Sequence, residues 1–174
     1  MSSTTATNRV GWLACGLAAG LAVAYFWPHQ PTYATTADRD TQFSMLTIPV
    51  GTSAAGINDP MDGVFILDFL TGQLKGAVLS RQAGGFLSYY ARDLAKDFGV
   101  DGDADPHYCM VSGYAQMTNQ GQLTMASGVI YVGELNSGKV AAYAFPWKEQ
   151  GTGGVVIPLI PLDVFQWKTP SKNK

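Results

Sequence analysis

The strongest constraint on this chain is a segment it contains twice. Val64-Phe65-Ile66-Leu67-Asp68-Phe69-Leu70-Thr71-Gly72-Gln73-Leu74 matches Ile130-Tyr131-Val132-Gly133-Glu134-Leu135-Asn136-Ser137-Gly138-Lys139-Val140 at one constant offset and without a gap. Each copy is an apolar run, an acid, two further residues, a Thr-Gly or Ser-Gly pair, and a second β-prone run. That is the chemistry of a β-hairpin, in which the hydroxyl residue caps the turn and glycine takes positive φ. Asp68 and Glu134 fall where a carboxylate accepts hydrogen bonds from turn amides. The same offset sets residues 43–48 opposite residues 109–114, so each unit reads strand, loop, hairpin.

A different segment joins the two units. In residues 85–99, Leu87, Tyr90, Ala91, Leu94 and Phe98 recur at helical spacing, with Ser88, Arg92, Asp93 and Lys96 on the other side. Ser88 is an alternative cap for a shorter helix, and Gly99 stands in the place of a C′ residue. The run Val155-Val156-Ile157-Pro158-Leu159-Ile160-Pro161-Leu162 is apolar but interrupted by two prolines, which suits an edge strand that breaks off. The expected fold class is therefore α+β, mostly β: an antiparallel sheet from two βββ repeats with one connecting helix. Propeller blades share this hairpin signature, but a ring needs at least four blades of about 40–45 residues each. Residues 42–174, what remains after an N-terminal anchor and tether, are too few to close one alone.

The N-terminus has another character. Residues 10–27 (VGWLACGLAAGLAVAYFW) carry no charge and no proline, and a membrane-spanning helix needs about 17–25 such residues. Trp12 at one end and Tyr25, Phe26 and Trp27 at the other fit interfacial aromatic belts, and Pro28 ends the helix. Gly16 and Gly20 form a small-xxx-small pair. We read the span as a retained signal anchor. A cleaved signal peptide is the alternative, with exit sites after Ala34 or Ala37, and Trp12-Leu13-Ala14-Cys15 is a weak lipoprotein-box match. Arg9 and the amino terminus before the span, with Asp38, Arg39 and Asp40 after it, put the N-terminus in the cytoplasm and the main domain outside it. The expected organisation is a tail and anchor over 1–27, a tether over 28–41, a β-rich domain over 42–166, and a basic tail over 167–174.

Composition narrows the function classes. Eleven Lys+Arg against 13 Asp+Glu give a formal charge of −2, and only 14% of residues are charged, where a soluble domain carries roughly 25%. Nothing here supplies the basic face that nucleic acid requires. The two cysteines, Cys15 and Cys109, are too few for a disulfide framework or a four-thiolate zinc site.

Three groups of residues together carry a resemblance: Phe65-Ile66-Leu67-Asp68-Phe69-Leu70-Thr71-Gly72, Asp93-Leu94-Ala95-Lys96-Asp97-Phe98-Gly99-Val100, and residues 129–147 from Val129 to Trp147. They resemble an uncharacterised family of secreted or membrane-anchored bacterial proteins frequent in planctomycetes. The resemblance spans about residues 38 to 166. It implies an export signal followed by one small domain and carries no site residue or cofactor.

Candidate chemistry is sparse. Asp101, Asp103 and Asp105 alternate as in a calcium loop, but Pro106 and Ser112 stand where that loop wants Gly and Glu. A solvated acidic turn is the plainer reading, with a calcium site as the sharper one. His107 and Cys109, two apart, point to one face of a strand and suggest a thiolate–imidazole pair or half of a metal site. Lys168, Lys172 and Lys174 form a basic end suited to solvent, lipid headgroups or an acidic partner. We expect no catalytic set and no cofactor. The surplus of Tyr, Trp and Met points to a membrane-anchored accessory or scaffold subunit that binds protein partners or its own copies, and not nucleic acid. The alternative is a sensory domain holding a small ligand or calcium.

Overall fold

A computed structural model describes residues 12, 14–22, 37–51, 61–80, 82–100, 105–115, 117–118, 123–148 and 151–168. The chain divides into two compact units, Met1–Thr32 and Tyr33–Lys174. In the first, residues 14–22 form helix α1, whose side chains, Leu17 and Leu21 among them, are exposed. Among the described residues no helix is long and apolar enough to cross a membrane. Much of the apolar span, including Tyr25, Phe26 and Trp27, lies outside the described residues, as does Pro28.

The second unit is mostly β. Its strands are β1 (Ala37–Arg39), β2 (Phe43–Pro49), β3 (Asp62–Asp68), β4 (Gln73–Ser80), β5 (Gly85–Asp93), β6 (Tyr108–Tyr114), β7 (Gly128–Glu134), β8 (Lys139–Ala144), β9 (Val156–Pro158) and β10 (Ile160–Gln166). Helix α2 (Leu94–Phe98) separates β5 from β6. The single sheet expected from the sequence is two: a six-stranded sheet in the order β1-β2-β3-β4-β5-β9 and a four-stranded sheet in the order β10-β8-β7-β6. Within each triplet sequential strands are neighbours: a four-residue turn joins β3 to β4 and β7 to β8, and a longer loop brings β2 to β3 and β6 to β7. One apolar cluster lies between the sheets, with Leu46, Phe65, Leu74 and Tyr90 from the first and Tyr108, Ile130, Val132 and Tyr143 from the second.

Both hairpins close as the repeat requires. Asp68 pairs with Gln73 and Glu134 with Lys139, each across a four-residue turn that ends on a glycine at φ 63° (Gly72) or 65° (Gly138). Facing is where the copies part. Phe65 is fully buried, whereas Tyr131, its counterpart, is 38% exposed; Ile66 is exposed and Val132 buried. The cause is a register shift. Phe43 stands opposite Asp68, but it is Tyr108, one residue before the counterpart Cys109, that stands opposite Glu134. A slip of one residue turns a strand over. β7 and β8 are thus turned over relative to β3 and β4, while β6 keeps the facing of β2, Met110 being buried like its counterpart Ser44.

Three further expectations are corrected. Residues 85–93 are strand, not helix: Ser88 and Tyr90 alternate inward while Tyr89 faces out, and the segment is hydrogen-bonded between β4 and β9. Pairing on both sides offers more backbone bonds than a marginal helix would, and aromatic side chains favour the pleat. Only Leu94–Phe98 is helical, capped by the Asp93 side chain, with Gly99 left-handed at φ 66°. The run at 155–162 is likewise two edge strands. β9 pairs parallel with β5, Leu159 is buried as the chain crosses over, and β10 pairs antiparallel with β8, bulging between Pro161 and Asp163. Finally, Ala37, Asp38 and Arg39, read as tether, form β1 against β2.

Candidate functional site

The register of the larger sheet defines its outer face. Met45, Ile66, Lys75 and Ala91 stand in one cross-strand row, and Thr47, Val64, Ala77, Tyr89 and Val156 in the next. Met45, Ile66, Tyr89 and Val156 are exposed large hydrophobic side chains; Lys75 is the charge between them, and exposed Asp38, opposite Met45, ends the first row on β1. Their inward neighbours are committed to the core, so the strands are apolar on both sides. A sheet with one solvated face ordinarily alternates apolar and polar.

The outer face of the smaller sheet carries a cavity of about 450 Å³. Its floor is a cross-strand row, Cys109, Gly133 and Val140, that continues to Phe165. Trp167, Leu135, His107, Arg39, Tyr108 and Glu134 complete the lining. Gly133 gives the cavity its depth, since a Cβ there would stand 2.9 Å from the Cys109 Sγ. Trp167 is held by its backbone N–H, which donates to the Gly138 carbonyl at 3.0 Å. Arg39 extends from β1, its guanidinium carbon 5.0 Å from the Phe69 ring centroid. The cavity thus brings His107 and Cys109 together, as their spacing suggests. Arg39 and Trp167 are members that the sequence reading missed, because neither belongs to a motif and each arrives from a different part of the chain.

Glu134 borders this cavity without presenting its charge to it. The carboxylate accepts from the backbone N–H groups of Ser137 at 2.6 Å, Asn136 at 3.0 Å and His107 at 3.3 Å. Burial opposes the charged form, but these turn hydrogen bonds outweigh it and leave the group below the usual carboxylate range. Asp68 has the same role on the outward side: Oδ2 accepts from the Thr71 hydroxyl at 2.8 Å and Oδ1 from the Leu70 N–H at 2.9 Å. The Thr71 hydroxyl is the first cause of its lowered value. Both acids hold turns, as the sequence indicates.

A second concavity, of about 400 Å³, lies beside α2 and is lined by Gln73, Ala91, Arg92, Asp93, Lys96, Asp97 and Pro158. Its charges are already engaged. Arg92 grips Asp97 through Nε and Nη2, both at 2.7 Å, and Tyr143 donates its hydroxyl to Asp97 Oδ2 at 2.9 Å. Lys96 pairs with Asp93 at 2.8 Å. This network closes the end of the core rather than opening a site.

Of the calcium-loop candidates, Asp101 and Asp103 lie outside the described residues. Asp105 is exposed; its carbonyl accepts from Asn136 Nδ2 at 3.0 Å and its carboxylate lies 3.9 Å from His107 Nε2. Among the described residues no three His, Cys, Asp or Glu side chains converge as a metal site. Lys172 and Lys174 also lie outside the described residues, and Lys168 packs its backbone against Gly138.

Fold and surface together define a mostly β domain of two sheets around one core, with an apolar outer face on the larger sheet and a cavity on the smaller. No protein-family model, no curated protein and no solved structure matches the chain.

Proposed function

We propose that the chain is a non-catalytic accessory or scaffold subunit whose two-sheet domain binds a protein partner outside the cytoplasm. In this reading the apolar N-terminal span anchors it in the membrane. The observation that carries the reading is the outer face of the larger sheet, where Met45, Ile66, Tyr89 and Val156 stand exposed in adjoining rows, with Lys75 among them and Asp38 at the β1 edge. A contiguous apolar surface depleted of charge is the composition of a protein interface core. The anchor reading rests on the uncharged run at 10–27 and on its length relative to a bilayer.

The test is a photo-crosslinking side chain at position 66, compared with one at position 165 on the other sheet, in native membranes. Crosslinking of the position-66 protein to one discrete partner, lost on adding Met45→Glu, is the expected result. A wild-type protein that extracts as a lone monomer and crosslinks at neither position overturns the reading.

A further inference from the structure

We propose that the cavity on the smaller sheet is a binding site for a small planar aromatic carboxylate. This goes beyond partner docking and uses a different face of the molecule. The cavity, about 450 Å³, is the size that small-molecule sites occupy. Cys109, Gly133 and Val140 give it an apolar floor laid across three strands. A flat floor with a glycine at its centre admits a ring lying on the sheet, and Trp167 at the wall supplies a stacking surface.

The charge at the rim selects the ligand's polar end. The Arg39 guanidinium lies over the Phe69 ring, and among the described residues no carboxylate pairs with it. Its planar fork of donors suits a carboxylate better than a flexible ammonium would. Glu134 does not compete, since Ser137, Asn136 and His107 amides occupy its oxygens inside the turn. Two positions therefore make separable contributions: Gly133 makes room for the ring and Arg39 engages the acid.

The probe is 2-naphthoate, with 2-naphthamide as its neutral isostere, against the full chain in mild detergent. Binding is read by Trp167 fluorescence, and independently by protection of Cys109 from alkylation, with Cys15 in the same chain as the control thiol. The expected result is saturable quenching and protection of Cys109 alone, with naphthoate binding about tenfold tighter than the amide. Arg39→Met should abolish that preference by weakening naphthoate far more than the amide. Gly133→Val should remove both affinities, with thermal melting showing that the domain stays folded. Equal affinity for acid and amide in the wild-type protein, or protection of Cys109 that survives in Gly133→Val, overturns the proposal. So does the absence of saturable binding.

Discussion

Tyr108 stands opposite Glu134 across the β6–β7 ladder, and that pairing turns both side chains into the core. Three backbone amides rely on the Glu134 carboxylate, all of them in or beside its turn.

Glu134 is therefore worth far more than Asp68, its counterpart in the other hairpin. Glu134→Ala removes a buried charged acceptor shared by three partly buried amides and should destabilise by about 2 kcal/mol, whereas Asp68→Ala, at the surface, should cost about 0.5–1 kcal/mol. The acid response follows in sign. Because Glu134 lies below the usual carboxylate value, its contribution is present above the unfolded value near 4.3 and is lost as pH falls through the folded one. Urea midpoints between pH 7 and 3 check this. Wild-type stability should decline below about pH 4.5, and Glu134→Gln should start lower and decline less.

Tyr108 makes the opposite case. Its hydroxyl is buried and finds no hydrogen-bond partner among the described residues. Tyr90 and Tyr143, equally buried, donate to the Pro146 carbonyl at 2.8 Å and to Asp97 at 2.9 Å. Removing an unsatisfied hydroxyl relieves a desolvation penalty, while removing a bonded one strands its acceptor. Tyr108→Phe should be neutral or stabilising by about 1 kcal/mol, and Tyr90→Phe and Tyr143→Phe destabilising by about 1–2 kcal/mol. Thermal or denaturant melts of the three variants would reverse this ordering if Tyr108 were held by a bond.

What the sequence makes legible here is local chemistry. An acid, two spacers, a hydroxyl residue and a glycine specify the turn wherever they occur, so residues 68–73 and 134–139 fold alike. Facing is different, because the apolar runs of β3 and β7 carry large side chains on both faces and their alternation does not say which side is inner. The deciding shift, Tyr108 instead of Cys109 opposite Glu134, is a tertiary choice made between strands. Residues 85–93 show the same limit: Leu87, Tyr90 and Ala91 satisfy a helical period, and only the partners β4 and β9 settle them as strand. The cavity was half legible, since His107 and Cys109 are neighbours in sequence. Arg39 and Trp167 reach it from edge strands whose placement no local pattern encodes.

The three buried tyrosines also make the domain labile to base. Burial, the first cause in each case, pushes Tyr90 and Tyr108 up to about 12 and raises Tyr143 as well, with the Asp97 hydrogen bond adding to it. A raised folded value means the neutral form is favoured in the native state. The contribution is full below the unfolded tyrosine value near 10 and is lost as pH rises from there through the folded values. Each buried tyrosine should contribute about 1.4 kcal/mol of lost stability per pH unit in that window. Urea unfolding from pH 9 to 11.5 should show a steep fall. In Tyr143→Phe the slope should be shallower by about a third; an unchanged slope would assign the fall to other groups.

Gly76 fixes how Phe65 fills the core. The two residues are cross-strand partners, and a Cβ on Gly76 would lie 2.2 Å from the Phe65 ring. That ring packs against Phe145, centroids 5.0 Å apart, and Tyr90 at 6.0 Å, so it has nowhere to withdraw without opening the aromatic cluster. Gly76→Ala should therefore destabilise by about 3 kcal/mol, the upper part of the range for overpacking a core. Gly85 starts the neighbouring strand with open space around its Cα. Gly85→Ala adds a methyl without a clash and restricts the unfolded chain, so it should be neutral or stabilising by about 0.5 kcal/mol. Paired melts of the two variants separate the explanations. If both lose stability alike, glycine is needed for backbone freedom in these strands, and the space it leaves for Phe65 is not the reason.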